Sequence, residues 1–480
     1  MNASYATKIA STLAAIALAA SLAGCGSSAN SAAASTTASS EIAATVTQSS
    51  AAAPGNPPSA SSMPSDAAAS AASAGANAAG STASANAQAA PGANRNMGGF
   101  GEQQTSTKTV APSSTGTVTV SGAVFSADDI FTNRDLTQTA DTSSAKTISL
   151  TSNQDVTISE EGVYVVSGSA TNATIVVDAD SSAKVQIVLN GITITNDSAP
   201  AIYVKSADKV FVTLSGSNTL SVTGTFTSDG DTNTDAVIFS KDDLVLNGTG
   251  SLTVKSTDNA VTSKDDLRIT GGTYDITCTG HAFECNDTLA VSDGTFTIDA
   301  GKDGFNCDND EDGTLGNVYV SGGTFNITAA SDGIHASAVA QVDGGNLTIA
   351  APEGIEATYL QINDGTIAVS STDDGLNATN MSAAYETTIE ITGGKLTVAM
   401  SAGDTDGLDS NGNLYLTGGT IDITGNSPFD YDGQGVLSGA TVTVNGQQVT
   451  QLSSQMMGGG MGNMGSMGSM GSMGGRGRNM

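Results

Sequence analysis

The stretch NAVTSKDDLRITGGTYDITCTG, residues 259–280, is followed without a gap by HAFECNDTLAVSDGTFTIDAGK, residues 281–302. The two halves match position by position. Val261 answers Phe283, and Ser263 answers Cys285. Leu267-Arg268-Ile269 answers Leu289-Ala290-Val291, and Tyr274-Asp275-Ile276 answers Phe296-Thr297-Ile298. Between the last two pieces stand Gly271-Gly272 in one unit and Asp293-Gly294 in the other, which are turn signals. Each apolar-x-apolar piece has period two, the pattern of a short strand, and no piece has helical spacing. The repeat starts with an acid, amide or His, then a small residue, an apolar one, a variable one, and Ala, Ser or Cys. Further copies begin at Asp303, Asp332, Glu353, Asp374 and Asp406, so the spacings from Asn259 are 22, 22, 29, 21, 21 and 32. The unit is therefore about 21–22 residues, with insertions in two copies.

Three short strands per unit, joined by tight turns, wind into a parallel β-helix. Coils stack at about 4.8 Å, so about fifteen of them would form a rod about 70 Å long. One inward column is predicted as Leu252, Tyr274, Phe296, Phe325, Leu347, Ile367, Leu396 and Ile421. An antiparallel sandwich gives no reason for one column to stay apolar at a fixed period. The fold class read here is all-β, a solenoid over residues 119–450.

The flanks differ from this core. Lys8 precedes an apolar run from Ile9 to Leu22, too short to span a bilayer as a helix. It reads as a secretory signal over residues 1–25. Leu22-Ala23-Gly24-Cys25 resembles a bacterial lipobox, which implies acylation of Cys25 and membrane attachment through the lipid alone. Residues 26–118 are Ala, Ser, Thr, Gly and Asn with scattered Pro, unable to bury enough apolar surface to fold. They read as a tether long enough to carry a domain away from the membrane and through a cell wall. Residues 451–480 form a Met/Gly-rich tail. Such tails can take Cu(I), though plain disorder is the simpler reading. The expected location is the outer face of the cell membrane.

Charge separates the segments further. The chain carries a formal charge of −31, with no Trp and 4% aromatics. Between Thr119 and Thr450 there are 44 acids against 11 bases, a charge of −33. Such a field repels nucleic acid and attracts cations.

Two stretches carry a family resemblance. They are Val185-Gln186-Ile187-Val188-Leu189-Asn190-Gly191 running on to Ala201-Ile202-Tyr203-Val204-Lys205-Ser206-Ala207-Asp208-Lys209-Val210, and Asp404-Thr405-Asp406-Gly407-Leu408-Asp409-Ser410-Asn411-Gly412. They resemble the secreted bacterial family named carbohydrate-binding domain-containing protein, over roughly Thr147 to Thr450. The resemblance implies a right-handed parallel β-helix related in shape to pectate lyases. It also implies Ca²⁺ as cofactor and affinity for polysaccharides such as cellulose and polygalacturonate.

The candidate metal ligands form two columns on one edge. The first holds Asp303, Asp332, Glu353, Asp374 and Asp406; the second, three residues later, holds Glu284, Asn306, Glu356, Asn377 and Asp409, with His335 as the exception. Residues i and i+3 oppose each other within a strand, but the first sits where the chain bends, so both can line one edge. Stacked carboxylates repel unless protons, hydrogen bonds or cations intervene. Oxygen-rich clusters suit Ca²⁺. Asp308, Asp310 and Asp312 lie in a D-x-D-x-D-G stretch like the first half of a calcium loop, though Tyr319 stands where such a loop has Glu. Asp404 adds a further candidate beside Asp406. For each single position, a solvated turn-capping acid is the alternative. Cys285 and Cys307 share a column that otherwise holds Ser or Ala, which favours small buried residues over a disulfide. His281 and His335 read as turn-edge residues of structural role.

Three functions compete. The first is a calcium-dependent, non-catalytic polysaccharide binder, with Tyr319, Tyr359, Tyr415 and Tyr431 as candidate stacking faces for sugar. The second is a lyase or glycoside hydrolase on the same β-helix, a lyase taking Lys241, Lys264, Arg268 or Lys302 as base. The third is a structural adhesin or matrix protein.

Overall fold

The computed structural model describes residues 122–401 and 405–453. The signal segment with Cys25, the tether, the tail beyond 453 and Asp404 lie outside the described residues. Within them the chain coils into a three-faced parallel β-helix. In one coil, Asn259–Ser263 lies on the first face, Leu267–Ile269 on the second and Thr273–Cys278 on the third. Each strand pairs in parallel with its equivalents in the coils before and after. In the two short coils the first and second faces merge into the continuous strands Asp332–Val342 and Glu353–Ile362. The Ser-Lys-Asp-Asp turn of other coils is there replaced by Ala336-Ser337-Ala338 and Ala357-Thr358, and the strands pass the corner with a register shift.

The third face ends in a hairpin. Thr441–Val444 pairs antiparallel with Gln447–Val449 around Asn445 and Gly446, whose positive φ values of 50° and 75° form the turn. This sheet holds 13 strands, so the rod measures about 60 Å. The rod falls short of the expected 70 Å because residues 122–145 are not coiled and insertions lengthen several coils.

The apolar column is in register along its whole length, Leu252–Tyr274–Phe296–Phe325–Leu347–Ile367–Leu396–Ile421. The side chains are all buried. Strand burial alternates strictly on this face, as at Thr295–Ala300 and Thr324–Ala329. Tyr274 stacks on Phe296 at 5.1 Å, Phe296 on Phe325 at 4.7 Å, and Phe283 on Phe305 at 5.0 Å. Edge-to-face contacts join the two stacks. Such pairs contribute about 0.5–1.5 kcal/mol each beyond area burial. Cys285 and Cys307 pair in register as buried free thiols, in keeping with the small-residue reading.

Residues 122–145 form a strap over the outside of the second face. Gln341 accepts from the Phe125 N–H at 2.8 Å and donates to its carbonyl at 2.9 Å. Phe125 and Phe131 pack against Tyr319 at 6.0 and 6.3 Å. Farther along, Arg268 Nε donates to Ile130 O, Asn247 donates to Asp135 O and Thr137 O, and Arg134 lies 4.3 Å over the Phe211 ring.

Candidate functional site

The two predicted columns exist and share an edge between the third and first faces. The second column runs Thr262, Glu284, Asn306, His335, Glu356, Asn377, Asp409, Asp430 on successive rungs. Each of these side chains points outward between two inward neighbours, as Glu284 does between Phe283 and Cys285. The first column sits at the corner before the strand. Between the columns lies Gly304, Gly333, Gly354, Gly375 or Gly407. A Cβ at Gly354 would meet the Gly375 carbonyl and the Val369 side chain of the third face. The glycine therefore turns inward at a corner too tight for a side chain, and this brings residues i and i+3 to the same side.

The two halves of the edge are neutralised differently. In the N-terminal half, basic side chains face the carboxylates. Lys264 Nζ lies 3.2 Å from Glu284 Oε1, while Asn259 Nδ2 and Thr262 Oγ1 donate to Glu284 Oε2 at 2.6 and 2.8 Å. His281 Nδ1 is 3.0 Å from Asp303 Oδ2. Burial alone would raise the Asp303 carboxyl, but His281 and the Asp332 N–H hold it below its ordinary value. His335 Nδ1 lies 3.2 Å from Asp332 Oδ2 and 2.8 Å from Glu356 Oε2. Burial opposes charge on His335, yet the two carboxylates carry its imidazole up to about 10.

In the C-terminal half no Lys, Arg or His pairs with Glu353, Asp374 or Asp409 among the described residues. Burial, with Glu356, Asp332 and Asp374 adding, pushes Glu353 up to about 7 against the Asn377 amide. Burial and the carboxylates of Asp373, Asp406 and Asp430 bring Asp374 up to about 6, although it accepts from the Asp406 N–H at 3.0 Å. Burial and Asp374, Asp430, Asp406 and Asp432 bring Asp409 up to about 7. Asn377 is 8% exposed. Its Nδ2 donates backward to Glu353 Oε2 at 2.9 Å and to Glu356 Oε1 at 3.3 Å. Its Oδ1 therefore faces forward, toward the rung of Asp409, and is buried without a hydrogen-bond donor.

The loop with Asp308, Asp310 and Asp312 is not gathered into this site. Asp312 Oδ1 accepts from the Thr314 N–H and hydroxyl at 3.0 and 2.7 Å, and Asn309 Oδ1 accepts from the N–H groups of Glu311 and Asp312. Those oxygens cap the loop's own backbone, and Asp308 and Asp310 face solvent, so the D-x-D-x-D-G stretch is a capped turn rather than a converged set of ligands.

The tyrosines divide too. Tyr319 is 1% exposed beneath Phe125 and Phe131, with its hydroxyl on Asp343 Oδ2 at 3.0 Å, so it offers no sugar a face. Tyr431 points into the core, in the column of Ser410, with Gly435 leaving room for its ring. The two expectations fail for different reasons: distant chain covers the outward Tyr319, and Tyr431 takes the inward strand position of Ser410. Tyr359 donates to Glu390 and Tyr415 to Gln434, and both stay partly accessible on the second face. Among the expected lyase bases, Arg268 is held by Asp243, Asp266 and the strap, and Lys264 is held by Glu284. Lys241 and Lys302 are exposed.

Sequence reading missed one group of acids. Asp243, Asp265, Asp266 and Asp287 gather at the turn between the first and second faces, where burial and mutual repulsion bring Asp265 up to about 7. Their signal was the twin Ser-Lys-Asp-Asp-Leu at 240–244 and 263–267. His335, the exception to its acidic column, is that column's internal cation.

A parallel β-helix with a carboxylate-lined edge is thus the class that fold and site define. The sequence matches the profile of the carbohydrate-binding domain-containing protein family over residues 152–359 and 350–457, and the chain belongs to that family. A carbohydrate-binding domain-containing protein of Acetivibrio thermocellus is 35% identical over 126 residues, which are 25% of this chain and 44% of that relative. The chain thus spans less than half the length of the relative. A solved structure titled as the polysaccharide lyase-like protein from C. thermocellum, gadolinium derivative, is 27% identical. Its TM-score is 0.42, covering 47% of this chain and 96% of that one.

Proposed function

We propose that this chain binds an acidic polysaccharide through Ca²⁺ held on the C-terminal half of the edge, without cleaving it. Asp374, Asp406 and Asp409, Asn377 Oδ1 and, from the next rung, Asp430 would supply the oxygens. The observation that supports this is Asn377 Oδ1, buried without a donor and facing the rung of Asp409, with which no Lys, Arg or His pairs among the described residues. A hard cation taking 6–8 oxygens suits that donor set, and water fills the positions the protein leaves. Uronate carboxylates or sugar hydroxyls can replace that water, which joins an anionic rod to an anionic polymer. The carbohydrate-binding family agrees with the ligand class. In the same proposal Cys25 is acylated and anchors the protein at the outer face of the membrane.

The test is retention on immobilised polygalacturonate. The chain should be held in millimolar Ca²⁺ and released by chelator, and Asp374→Asn/Asp409→Asn together should abolish retention while the strand signal in circular dichroism persists. Absorbance of unsaturated product should stay flat. Retention that ignores chelator removes the calcium reading, and a rise in that absorbance replaces binding by lyase activity. Absence of binding to polyuronates, cellulose and other glucans points to the adhesin reading. For the anchor, Cys25→Ala should leave the membrane fraction; a variant that is processed and stays there refutes acylation.

A further inference from the structure

We propose that Asp332, His335 and Glu356 form a site for one divalent first-row transition-metal ion, distinct from the calcium-binding half of the edge. Among the described residues this is the group of three metal-ligating side chains whose atoms converge, all within 4.8 Å of one another. The two measured edges of the triangle are 3.2 and 2.8 Å. Ligands about 2.1 Å from a common ion lie about 3.0 Å apart at a right angle and about 3.4 Å apart in a tetrahedron. The side chains thus need little movement to face one ion.

The donor set decides the class of metal. The C-terminal half of this edge offers oxygen, which suits Ca²⁺. An imidazole nitrogen between two carboxylates suits Zn²⁺ and its neighbours instead. The chain has only two His, and both stand on this edge. Groups behind the ligands fix them in place. Glu356 Oε1 accepts from Asn377 Nδ2 at 3.3 Å, which leaves Oε2 for the ion. The Asp332 N–H donates to Asp303 Oδ1 at 2.9 Å, which pins the corner that carries the Asp332 carboxylate. Such supporting contacts orient ligands and raise affinity. The three side chains are 10–17% exposed, so water or a sugar oxygen can reach the remaining positions. When Nδ1 takes the metal, its proton leaves to solvent. Without metal, the same three groups form the ion pair seen here.

This inference does not depend on the calcium or carbohydrate reading. The probe is Zn²⁺ alone, added in millimolar Ca²⁺ to the full chain labelled with ¹⁵N-histidine. Two imidazoles give a spectrum that can be read completely, and His281→Gln assigns it. The His335 Nδ1 resonance should move to a metal-bound position and saturate at one equivalent, while His281 is unmoved. Co²⁺ in place of Zn²⁺ should give visible d–d absorption with the same stoichiometry. His335→Gln and Asp332→Asn should each weaken binding by about tenfold or more. The proposal is overturned if excess Zn²⁺ leaves both resonances in place. It is equally overturned if His335→Gln takes up Zn²⁺ as the parent does, since the ion then sits elsewhere.

Discussion

Replacing Asp409 by Asn should have opposite effects on stability with and without calcium. An acid whose folded pKa lies above its unfolded value holds its proton more tightly in the native state. Glu353, Asp374 and Asp409, at about 7, 6 and 7, are all of this kind. Their contribution to stability is therefore lost as pH rises from about 4 through about 7, and stays lost above that. Solvent still reaches these half-buried groups, so each costs about 1–2 kcal/mol once ionised, and the three together about 3–6 kcal/mol. With about 330 described residues, unfolding entropy converts this to roughly 4–8 °C in Tm. Thermal unfolding followed by circular dichroism in excess EDTA should thus give a Tm lower by that amount at pH 8 than at pH 5. Asp409→Asn removes one of the three charges, so in EDTA at pH 8 it should melt roughly 2 °C above the parent. Calcium reverses the order. Ca²⁺ at about 100-fold its Kd stabilises the parent by about 2.7 kcal/mol per site, and the variant lacks a ligand for that site. The reasoning is refuted if the parent in EDTA is as stable at pH 8 as at pH 5. It is equally refuted if Asp409→Asn is the less stable protein at pH 8 in EDTA.

Phe296→Ala should lose about 4–6 kcal/mol, because it opens a cavity and breaks stacks at 5.1 and 4.7 Å; chemical denaturation measures it. Gly354→Ala should lose about 2 kcal/mol or more through overpacking at the corner, seen as a lower denaturation midpoint with the edge carboxylates intact. Gln341→Ala removes both bonds to Phe125 and should speed limited proteolysis near that residue, while the melting of the coils changes little. Cys278, Cys285 and Cys307 should resist a thiol reagent in the native state and react on unfolding. Burial brings Cys278 up to about 12 and raises Cys285, so neither supplies thiolate.

The solenoid, its rung spacing and its inward columns were legible in the sequence. Inside or outside is a local property of a period-two strand, and a fixed repeat copies it from coil to coil. The register from Leu252 to Ile421 followed from spacing alone, as did the two acidic columns and the buried pair Cys285/Cys307. What charge those columns carry was decided by tertiary structure. Lys264 meets Glu284, His281 meets Asp303 and His335 meets Glu356 because adjacent coils stack at the same corner. Glu353, Asp374 and Asp409, with which no Lys, Arg or His pairs among the described residues, all lie in the C-terminal half, a division no single repeat contains. Asp308, Asp310 and Asp312 looked like ligands because their spacing is right, but Asp312 caps its own loop's backbone while Asp308 and Asp310 face solvent. Tyr319 looked like an outward ring and is one, yet Phe125 and Phe131 cover it. The contact between Phe125 and Gln341 spans 216 residues, and no pattern within a 22-residue unit encodes which distant segment comes to lie over its outer face.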